Sequence, residues 1–171
     1  MEKIIFEDLP STKTPLNAEN LNKIQNNTEK AINDLKNDCG KYIYLTKDNI
    51  QSIPAKTQKL VTWETIAHND TNGLLQFENN EVILTEGIHT VLIVARIQNV
   101  IATDKYLYIR KWVNNEKQEL ATTNTTGNAL AITTVTQLNA GDSITIEAYS
   151  EIDSAVRIST AWTEFKVVLL N

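Results

Sequence analysis

The chain has 171 residues, of which 42% are hydrophobic, and a formal net charge of −5. This length accommodates one domain of ordinary size with a short appendage. The acidic balance argues against a protein that binds nucleic acid through its phosphates. No apolar run reaches the roughly 18 residues of a membrane-spanning helix, so a membrane is not an expected partner either. The single cysteine, Cys39, cannot close an internal disulfide.

Two prolines shape the beginning of the chain. Pro10 and Pro15 each fix their own φ angle and lack a backbone donor. Each also restricts the residue before it to extended conformations. Residues 1–16 are therefore predicted to form an extended arm.

Residues 17–41 are predicted to form a helical segment. Asn17 has the side chain of a helix N-cap, and Gly40 provides a helix stop. Between them, apolar or small residues recur at alternating steps of three and four, the spacing of heptad a and d positions. The residues at these positions are Leu21, Ile24, Thr28, Ala31 and Leu35. We predict that this seam forms a short parallel coiled coil; the alternative is a helix packed on its own head domain.

Residues 42–171 are predicted to form the head domain, because Thr, Val, Ile, Tyr and Trp dominate there and favour strands. The candidate strands are 59–67, 74–77, 81–85, 88–98, 105–113, 117–122, 130–138, 143–150, 155–160 and 162–170. Turn signals separate them, for example at residues 79–80, 114–115 and 140–142. Short strands at this spacing, without helical patterns between them, are typical of an antiparallel sandwich.

The predicted strand 88–98 is apolar on both of its faces. One face carries Val91, Ile93, Ala95 and Ile97, and the other carries Leu92 and Val94. The last strand, 162–170, shows the same pattern. A strand that is apolar on both faces of a two-layer domain needs a third layer to cover it. We predict that another copy of the chain supplies this layer.

Residues 55–170 resemble the C1q/TNF-type jelly roll. The segment 86–91 is similar to the family's glycine-aromatic turn into the third strand, with a histidine in place of the usual tyrosine. The segment 138–144 resembles its leucine-x-x-glycine-aspartate turn, and 163–170 resembles its closing core strand. The tripeptide 61–63 stands where the first long strand carries an aromatic residue. The resemblance implies a mainly β fold, an antiparallel jelly-roll sandwich behind the arm and the coiled-coil helix, assembled as a homotrimer.

The segment from Phe6 to Asn22 is similar to the opening of tail, baseplate and fibre proteins of bacteriophages that infect Gram-positive bacteria. In that group a short arm docks onto the particle, a helix trimerises, and a C-terminal jelly-roll head recognises the host surface. The resemblance implies a trimeric receptor-binding or fibre protein of the virion, assembled in the cytoplasm of the bacterial host. Residues 1–16 would contact other virion proteins, and the head would bind host cell-wall carbohydrate.

Two other interpretations of the same resemblances stay open. One is a virion component without a receptor, such as a head fibre, neck or decoration protein with the same fold. The other is a bacterial C1q-like surface protein.

The sequence holds no recognised catalytic motif. It has no Gly-x-Ser-x-Gly, Walker or His-Glu-x-x-His pattern, so an enzyme is not expected. His68 and His89 each lack a second His or Cys nearby, so no transition metal and no cofactor are expected. Glu147, Glu151 and Asp153 are close in sequence and could hold calcium, although exposed acids of this kind are usually only solvated.

The most suggestive surface constellation lies on the predicted strand 105–113. Its residues on one face are Tyr106, Tyr108, Arg110 and Trp112. Aromatic planes stack on sugar rings, and arginine pairs with phosphate, both of which bacterial wall polymers offer. The face is therefore a candidate ligand surface. An interface with a neighbouring protomer is the favoured interpretation, because an aromatic strand face often packs on the neighbouring protomer in the jelly roll that the head resembles, and plain exposure to solvent is the third possibility. Trp112 comes just before a turn, which makes it the best candidate for a contact from a loop.

Overall fold

The computed structural model describes residues 18–99, 104–158 and 162–171. The predicted arm, residues 1–16, and the predicted cap, Asn17, lie outside the described residues.

The predicted helix is present as α1, Ala18–Asp38. Of the predicted seam, Leu21 is half-buried and Ile24 is 55% exposed. Thr28 is exposed, and its hydroxyl donates to the carbonyl of Ile24 at 2.8 Å, a bond within the helix itself. The side chains at the remaining seam positions, Ala31 and Leu35, lie outside the described part of the chain.

The chain divides into two compact units, Met1–Asp38 and Cys39–Asn171. The second unit is built from short antiparallel strands. They are β1 (Tyr42–Thr46), β2 (Gln51–Ile53), β3 (Lys59–Leu60), β4 (Thr65–Asn69), β5 (Leu75–Glu78), β6 (Glu81–Leu84), β7 (Ile88–Gln98), β8 (Lys105–Val113), β9 (Glu116–Thr125), β10 (Ala129–Asn139), β11 (Ser143–Ser150), β12 (Ser154–Val156) and β13 (Glu164–Leu169).

These strands form two main sheets. The five-stranded sheet has the order β10-β7-β13-β1-β4. The six-stranded sheet has the order β5-β6-β11-β8-β9, with β3 paired to β11, and β2 pairs separately with β12. The chain changes sheet between β6 and β7, between β7 and β8, and again on either side of β10. Crossing back and forth in this way produces the two-sheet connectivity of a jelly roll.

The core lies between the two sheets. Val91, Ile93 and Phe165 from the five-stranded sheet are fully buried, as are Leu107 and Ile146 from the six-stranded sheet. Their neighbours along each strand point away from the core, because side chains alternate along a strand. The two faces predicted for strand 88–98 are thus confirmed, with one face in the core and the other on the outer side of the sheet.

The predicted strand 59–67 is wrong as a single strand. The structure has the short strands β3 and β4 there, and residues 61–64 belong to neither. Val61 and Trp63 are nevertheless buried in the core. The segment passes from an edge of the six-stranded sheet to an edge of the five-stranded sheet, so it cannot stay in one ladder. Its backbone amides make individual hydrogen bonds instead of a continuous ladder; for example, Trp63 N–H donates to the side-chain oxygen of Asn80 at 3.0 Å.

The prediction also missed or misplaced strands near the ends of the head. β1 and β2 were absent from the candidate strands, although the segment was expected to be rich in strands. Of the candidate 155–160, residues 155–156 belong to β12, residues 157–158 belong to no strand, and residues 159–160 lie outside the described part of the chain. The candidate 162–170 is shorter in the structure, as β13. β1 and β2 are short and pair with distant β13 and β12, which local alternation does not reveal.

Two asparagine pairs form tight hairpin turns where turns were predicted. Asn79 and Asn80 connect β5 to β6, with φ angles of 51° and 67°. Asn114 and Asn115 connect β8 to β9, with φ angles of 50° and 67°. Two successive positive φ values define the type I′ hairpin turn, and asparagine tolerates this conformation better than most residues do.

Replacing Phe165 by alanine tests the core. The Phe165 ring is fully buried and lies 5.7 Å from the Trp63 ring, centroid to centroid. Loss of its contacts and the remaining cavity should lower the free energy of unfolding by about 3–5 kcal/mol, measured by urea denaturation. The control Gln137→Ala changes an exposed residue and should have little effect. An effect of Phe165→Ala as small as that of the control would contradict this core.

Candidate functional site

The residues predicted as a ligand or interface face lie together on the outer side of the six-stranded sheet. On β8, Tyr106, Tyr108, Arg110 and Trp112 alternate with core residues such as Leu107. In the register with β11, they stand beside Tyr149, Glu147, Thr145 and Ser143 in that order. We call this surface the β8–β11 face.

Three tyrosines form one end of the β8–β11 face. The rings of Tyr106 and Tyr108 stack with centroids 6.2 Å apart, and the edge of Tyr149 meets Tyr106 at 5.8 Å. A hydrogen bond from the Tyr149 hydroxyl to Glu151, 2.9 Å long, raises the pKa of Tyr149. Burial raises the pKa of Tyr108. Both phenols therefore stay protonated at neutral pH, and the single O–H of Tyr149 is used in its bond to Glu151.

Arg110 lies at the centre of the β8–β11 face and is engaged on several sides. Its guanidinium lies 4.4 Å from the centre of the Tyr108 ring. Its Nε donates to Glu147 at 3.0 Å, and Nη1 donates to Glu119. Burial alone would lower the pKa of Arg110, but the hydrogen bonds to the two carboxylates outweigh it and raise the pKa. The side chain, only 10% exposed, is thus paired within the chain instead of being open to phosphate.

Glu147 connects Arg110 to its surroundings. Besides Arg110, its carboxylate accepts from Lys117 at 3.1 Å and from the amide of Gln58. Two cations therefore neutralise Glu147 and the nearby Glu119. The central part of the β8–β11 face is consequently a balanced ion-pair network, which fixes the neighbouring side chains in place.

Trp112 forms the other end of the β8–β11 face. Its indole N–H donates to the Thr145 hydroxyl at 2.9 Å, and the ammonium of Lys117 lies 5.7 Å from the centre of its ring. In adjacent strands, Ser143 stands beside Trp112 and Ile83 stands beside Ser143. The short serine between two larger side chains leaves a depression in the sheet surface.

This depression is a pocket of about 210 Å³, which we call the Trp112 pocket. Trp112 and Ile83 stand on either side of Ser143, and Glu81 lines the pocket close to Ser143. The hydroxyl of Ser143 donates to Glu81 at 2.7 Å. Two turns, 114–115 and 140–142, also line the pocket. The sequence pattern predicts Trp112 as a contact residue but does not predict the pocket, because the pocket arises from residues that become neighbours only through strand register.

The turn 140–142 is held in place by Asp142. Its carboxylate accepts from the backbone N–H of Asn139 at 2.9 Å and lies 2.8 Å from the ammonium of Lys111. Gly141 has a φ of +89°, a conformation that glycine adopts without strain. Burial alone would raise the pKa of Asp142, but the Asn139 amide and Lys111 outweigh it and lower the pKa. This explains why the glycine–aspartate pair marks this turn in the sequence.

A second surface lies on the opposite side of the sandwich. The outer side of the five-stranded sheet carries a continuous row across four strands, with the members Tyr42, Val168, Leu92 and Val135 in register. We call it the apolar sheet face. Leu92 and Val168 are half-buried, and Val135 is 55% exposed. The predicted second apolar face of strand 88–98 therefore remains accessible in the isolated chain.

Polar contacts lie beside and within the apolar sheet face. The ammonium of Lys166 lies 3.7 Å from the centre of the Tyr42 ring. The His68 ring stacks on the Tyr42 ring, with the two ring centres 4.3 Å apart. Arg96 and Glu164 form an ion pair at 3.3 Å, two rows away from Leu92.

Within residues 18–99, 104–158 and 162–171, no group of three or more His, Cys, Asp or Glu side chains is placed to hold a metal ion. In the same part of the chain, no helix combines the length and hydropathy needed to cross a bilayer.

Comparison with known proteins finds the fold but no sequence relative. No protein-family model and no curated protein sequence matches the chain. The crystal structure of murine APRIL at pH 8.5 superimposes with a TM-score of 0.63 at 16% identity, covering 76% of this chain and 98% of that one. The structure of Eiger TNF from S. frugiperda superimposes with a TM-score of 0.60 at 9% identity, covering 78% and 94%. The head is therefore a TNF-like jelly roll, as predicted.

Asp142 should make stability depend on pH. Because its pKa is lowered in the folded state, its stabilising contribution is complete well above the ordinary value of 3.8 and is lost as the pH falls through and below that value. Asp142→Asn should cost about 2 kcal/mol of unfolding free energy near neutral pH and much less at low pH.

The measurement is urea denaturation as a function of pH. The control is Asp104→Asn, which changes an exposed carboxylate and should leave stability nearly unchanged. If the Asp142→Asn variant showed the same deficit at low pH as at neutral pH, ionised Asp142 would not be the stabilising group.

Proposed function

We propose that this chain is a homotrimeric fibre or receptor-binding protein of a tailed bacteriophage, which attaches the virion to glycan on the surface of a Gram-positive host. The observation that carries the proposal is the apolar sheet face. A contiguous apolar surface on a domain with its own complete core marks an interaction site.

A second copy of the chain is the best candidate to cover the apolar sheet face. Leu92 and Val168 lie at the middle of the row, on neighbouring central strands, and Val135 lies at its end on the edge strand β10. The ion pair between Arg96 and Glu164 lies to one side. An apolar centre with charged groups around it is the usual anatomy of a protein interface.

The helix supports a parallel, rotationally symmetric arrangement. Ile24 in the predicted heptad seam is 55% exposed on the isolated chain, so its apolar surface gains burial in a coiled coil. Parallel helices and identical sheet faces are compatible with one rotation axis. The TNF-like fold of the head and the resemblance described above favour three copies around this axis.

Assembly through the five-stranded sheets leaves the β8–β11 face on the outside of the assembly, because the two sheets of a sandwich face in opposite directions. This favours a ligand surface over an interface for the residues around Tyr106 and Trp112. The ion-pair network around Arg110 satisfies its own charges, so it does not need a protein partner.

Attachment through such a surface depends more on the number of binding sites than on the affinity of each site. A single sugar site commonly binds with a Kd of about 1 mM, near −4 kcal/mol. Three equivalent sites on each trimer, and several trimers on a particle, raise the effective concentration of sites after the first contact.

The bacteriophage assignment itself rests on the resemblance of the segment from Phe6 to Asn22, and it includes docking of residues 1–16 on other virion proteins.

Leu92→Glu tests the assembly. Its charge would be buried in every copy of the interface, so self-association should weaken by roughly 100-fold or more. Light scattering at micromolar concentration should give the trimer mass for the unchanged chain and a lower mass for the variant. The control Gln118→Glu adds the same charge on exposed β9 and should leave the trimer intact. A monomeric unchanged chain would contradict the proposal.

Binding to purified cell walls tests the attachment. The trimer should co-sediment with walls from at least one strain of a panel of Gram-positive bacteria, and the wall polysaccharide released from that strain should compete. A trimer that binds none of the panel would favour the alternative of a virion component without a receptor.

A further inference from the structure

We propose that the Trp112 pocket binds a single neutral monosaccharide unit of the host glycan. This inference rests on the proposed function and assigns it a site. Every residue that lines the pocket belongs to the described part of the chain, and the pocket lies on the sheet opposite to the apolar sheet face.

The size of the pocket selects a single ring. Its volume is about 210 Å³, below the roughly 300–1,000 Å³ of sites that enclose drug-sized ligands. The spacing of strands in the sheet determines the width of the pocket. Trp112 on β8 and Ile83 on β6 are separated only by β11, whose small Ser143 lies between them. One six-membered ring fits such a space beside the indole, whereas a longer oligosaccharide would extend along the open surface.

The lining combines an aromatic wall with hydrogen-bonding groups. An indole beside a pocket offers an apolar plane to the C–H groups of a sugar ring. Asn114 and Asn115 are exposed, and their side-chain amides make no hydrogen bond within the described residues. Each amide offers donors and an acceptor, and Glu81 adds acceptors, which together match sugar hydroxyls.

The charge of the pocket selects a neutral ligand. Two carboxylates, Glu81 and Asp142, line the pocket, and no Lys or Arg side chain does so. Lys111 neutralises Asp142 at 2.8 Å, whereas Glu81 bonds to a neutral hydroxyl. Lys117, whose ammonium lies 5.7 Å from the centre of the Trp112 ring, is paired with Glu147. The remaining negative charge disfavours phosphate and carboxylate groups and tolerates hydroxyl groups.

The pocket is also already formed before any ligand binds. The indole N–H of Trp112 is fixed by Thr145, and the positive φ angles of a tight hairpin turn fix the backbone that carries the two amides. A preformed site loses little conformational entropy on binding, which helps a small ligand with few contacts.

The experiment is an NMR titration of the full-length protein, with the side-chain N–H signals of the three tryptophans and the backbone N–H signal of Gly141, which also lines the pocket, as reporters. The Gly141 signal reports binding to the Trp112→Phe variant, which lacks the Trp112 signal. The probes are the methyl glycosides of glucose, galactose, rhamnose and N-acetylglucosamine, each added to about 50 mM, and glycerol 3-phosphate as an anionic probe. At least one neutral glycoside should shift the Trp112 signal with a Kd of about 1–10 mM. Glycerol 3-phosphate should leave the signal unchanged at the same concentrations.

Matched variants separate the pocket from the rest of the head. Trp112→Phe and Asn115→Gly should each weaken binding about tenfold, because glycine keeps the turn and removes only the amide. Their controls are Trp162→Phe and Asn79→Gly; the second changes the same type of turn at a site outside the pocket. Both controls should bind the glycoside as the unchanged chain does.

The outcomes distinguish this inference from the proposed function. Absence of any shift with all four neutral glycosides, tighter binding of the anionic probe, or equal affinities for the pocket variants and their controls would overturn the Trp112 pocket as the sugar site. If the trimer still bound cell walls in that case, the proposed function would stand without this site. A monomeric chain that bound a glycoside through Trp112 would keep the site and overturn the trimeric mechanism.

Discussion

Apolar side chains on both sides of β7 impose the main constraint on this molecule. Ile93 and its alternate neighbours are fully buried in the core, while Leu92 lies in the row of the apolar sheet face. Burial of apolar area is the largest favourable contribution to folding, and one sandwich can cover only one side of this strand. The six-stranded sheet covers the first side, whereas Leu92 on the second side stays half-buried at the surface of the isolated chain. In the proposed assembly, folding and self-association therefore depend on the same short stretch of sequence.

The outer faces of the two sheets differ in the polarity of the side chains that they expose to water. The apolar sheet face has hydrocarbon groups at its centre. The β8–β11 face has Arg110, Glu119 and Glu147 at its centre, in a network whose charges balance within the chain. Removing a balanced network from water gives little net gain, because its desolvation cost offsets its new contacts. In the proposed assembly, association through the five-stranded sheet is therefore favoured over association through the six-stranded sheet, which leaves the β8–β11 face available for the proposed ligand.

The sequence reveals which side of a strand a residue occupies more readily than which residue stands beside it. Alternation along 88–98 and the asparagine turns predicted both faces of β7 and two hairpins correctly. The prediction for 59–67 was wrong because Val61 and Trp63 enter the core from a segment that crosses between sheets. The engagement of Arg110 depends on the register of β8 with β9 and β11, and the sequence pattern contains no signal for that register.

The Trp112 pocket arises from lateral neighbours in the same way, and it shares its structural support with the fold. Asp142 fixes the 140–142 turn through the Asn139 amide and Lys111, and this turn also lines the pocket. Two backbone amides of the turn donate to the chain between β6 and β7. Gly141 N–H donates to the carbonyl of Leu84, the last residue of β6, at 2.8 Å, and Ala140 N–H donates to the carbonyl of Gly87 at 2.9 Å. A site built on such a turn moves little when a ligand binds. For the proposed sugar site, rigid support of this kind favours discrimination between sugars even when each contact is weak, since little of the binding free energy is spent on ordering the site.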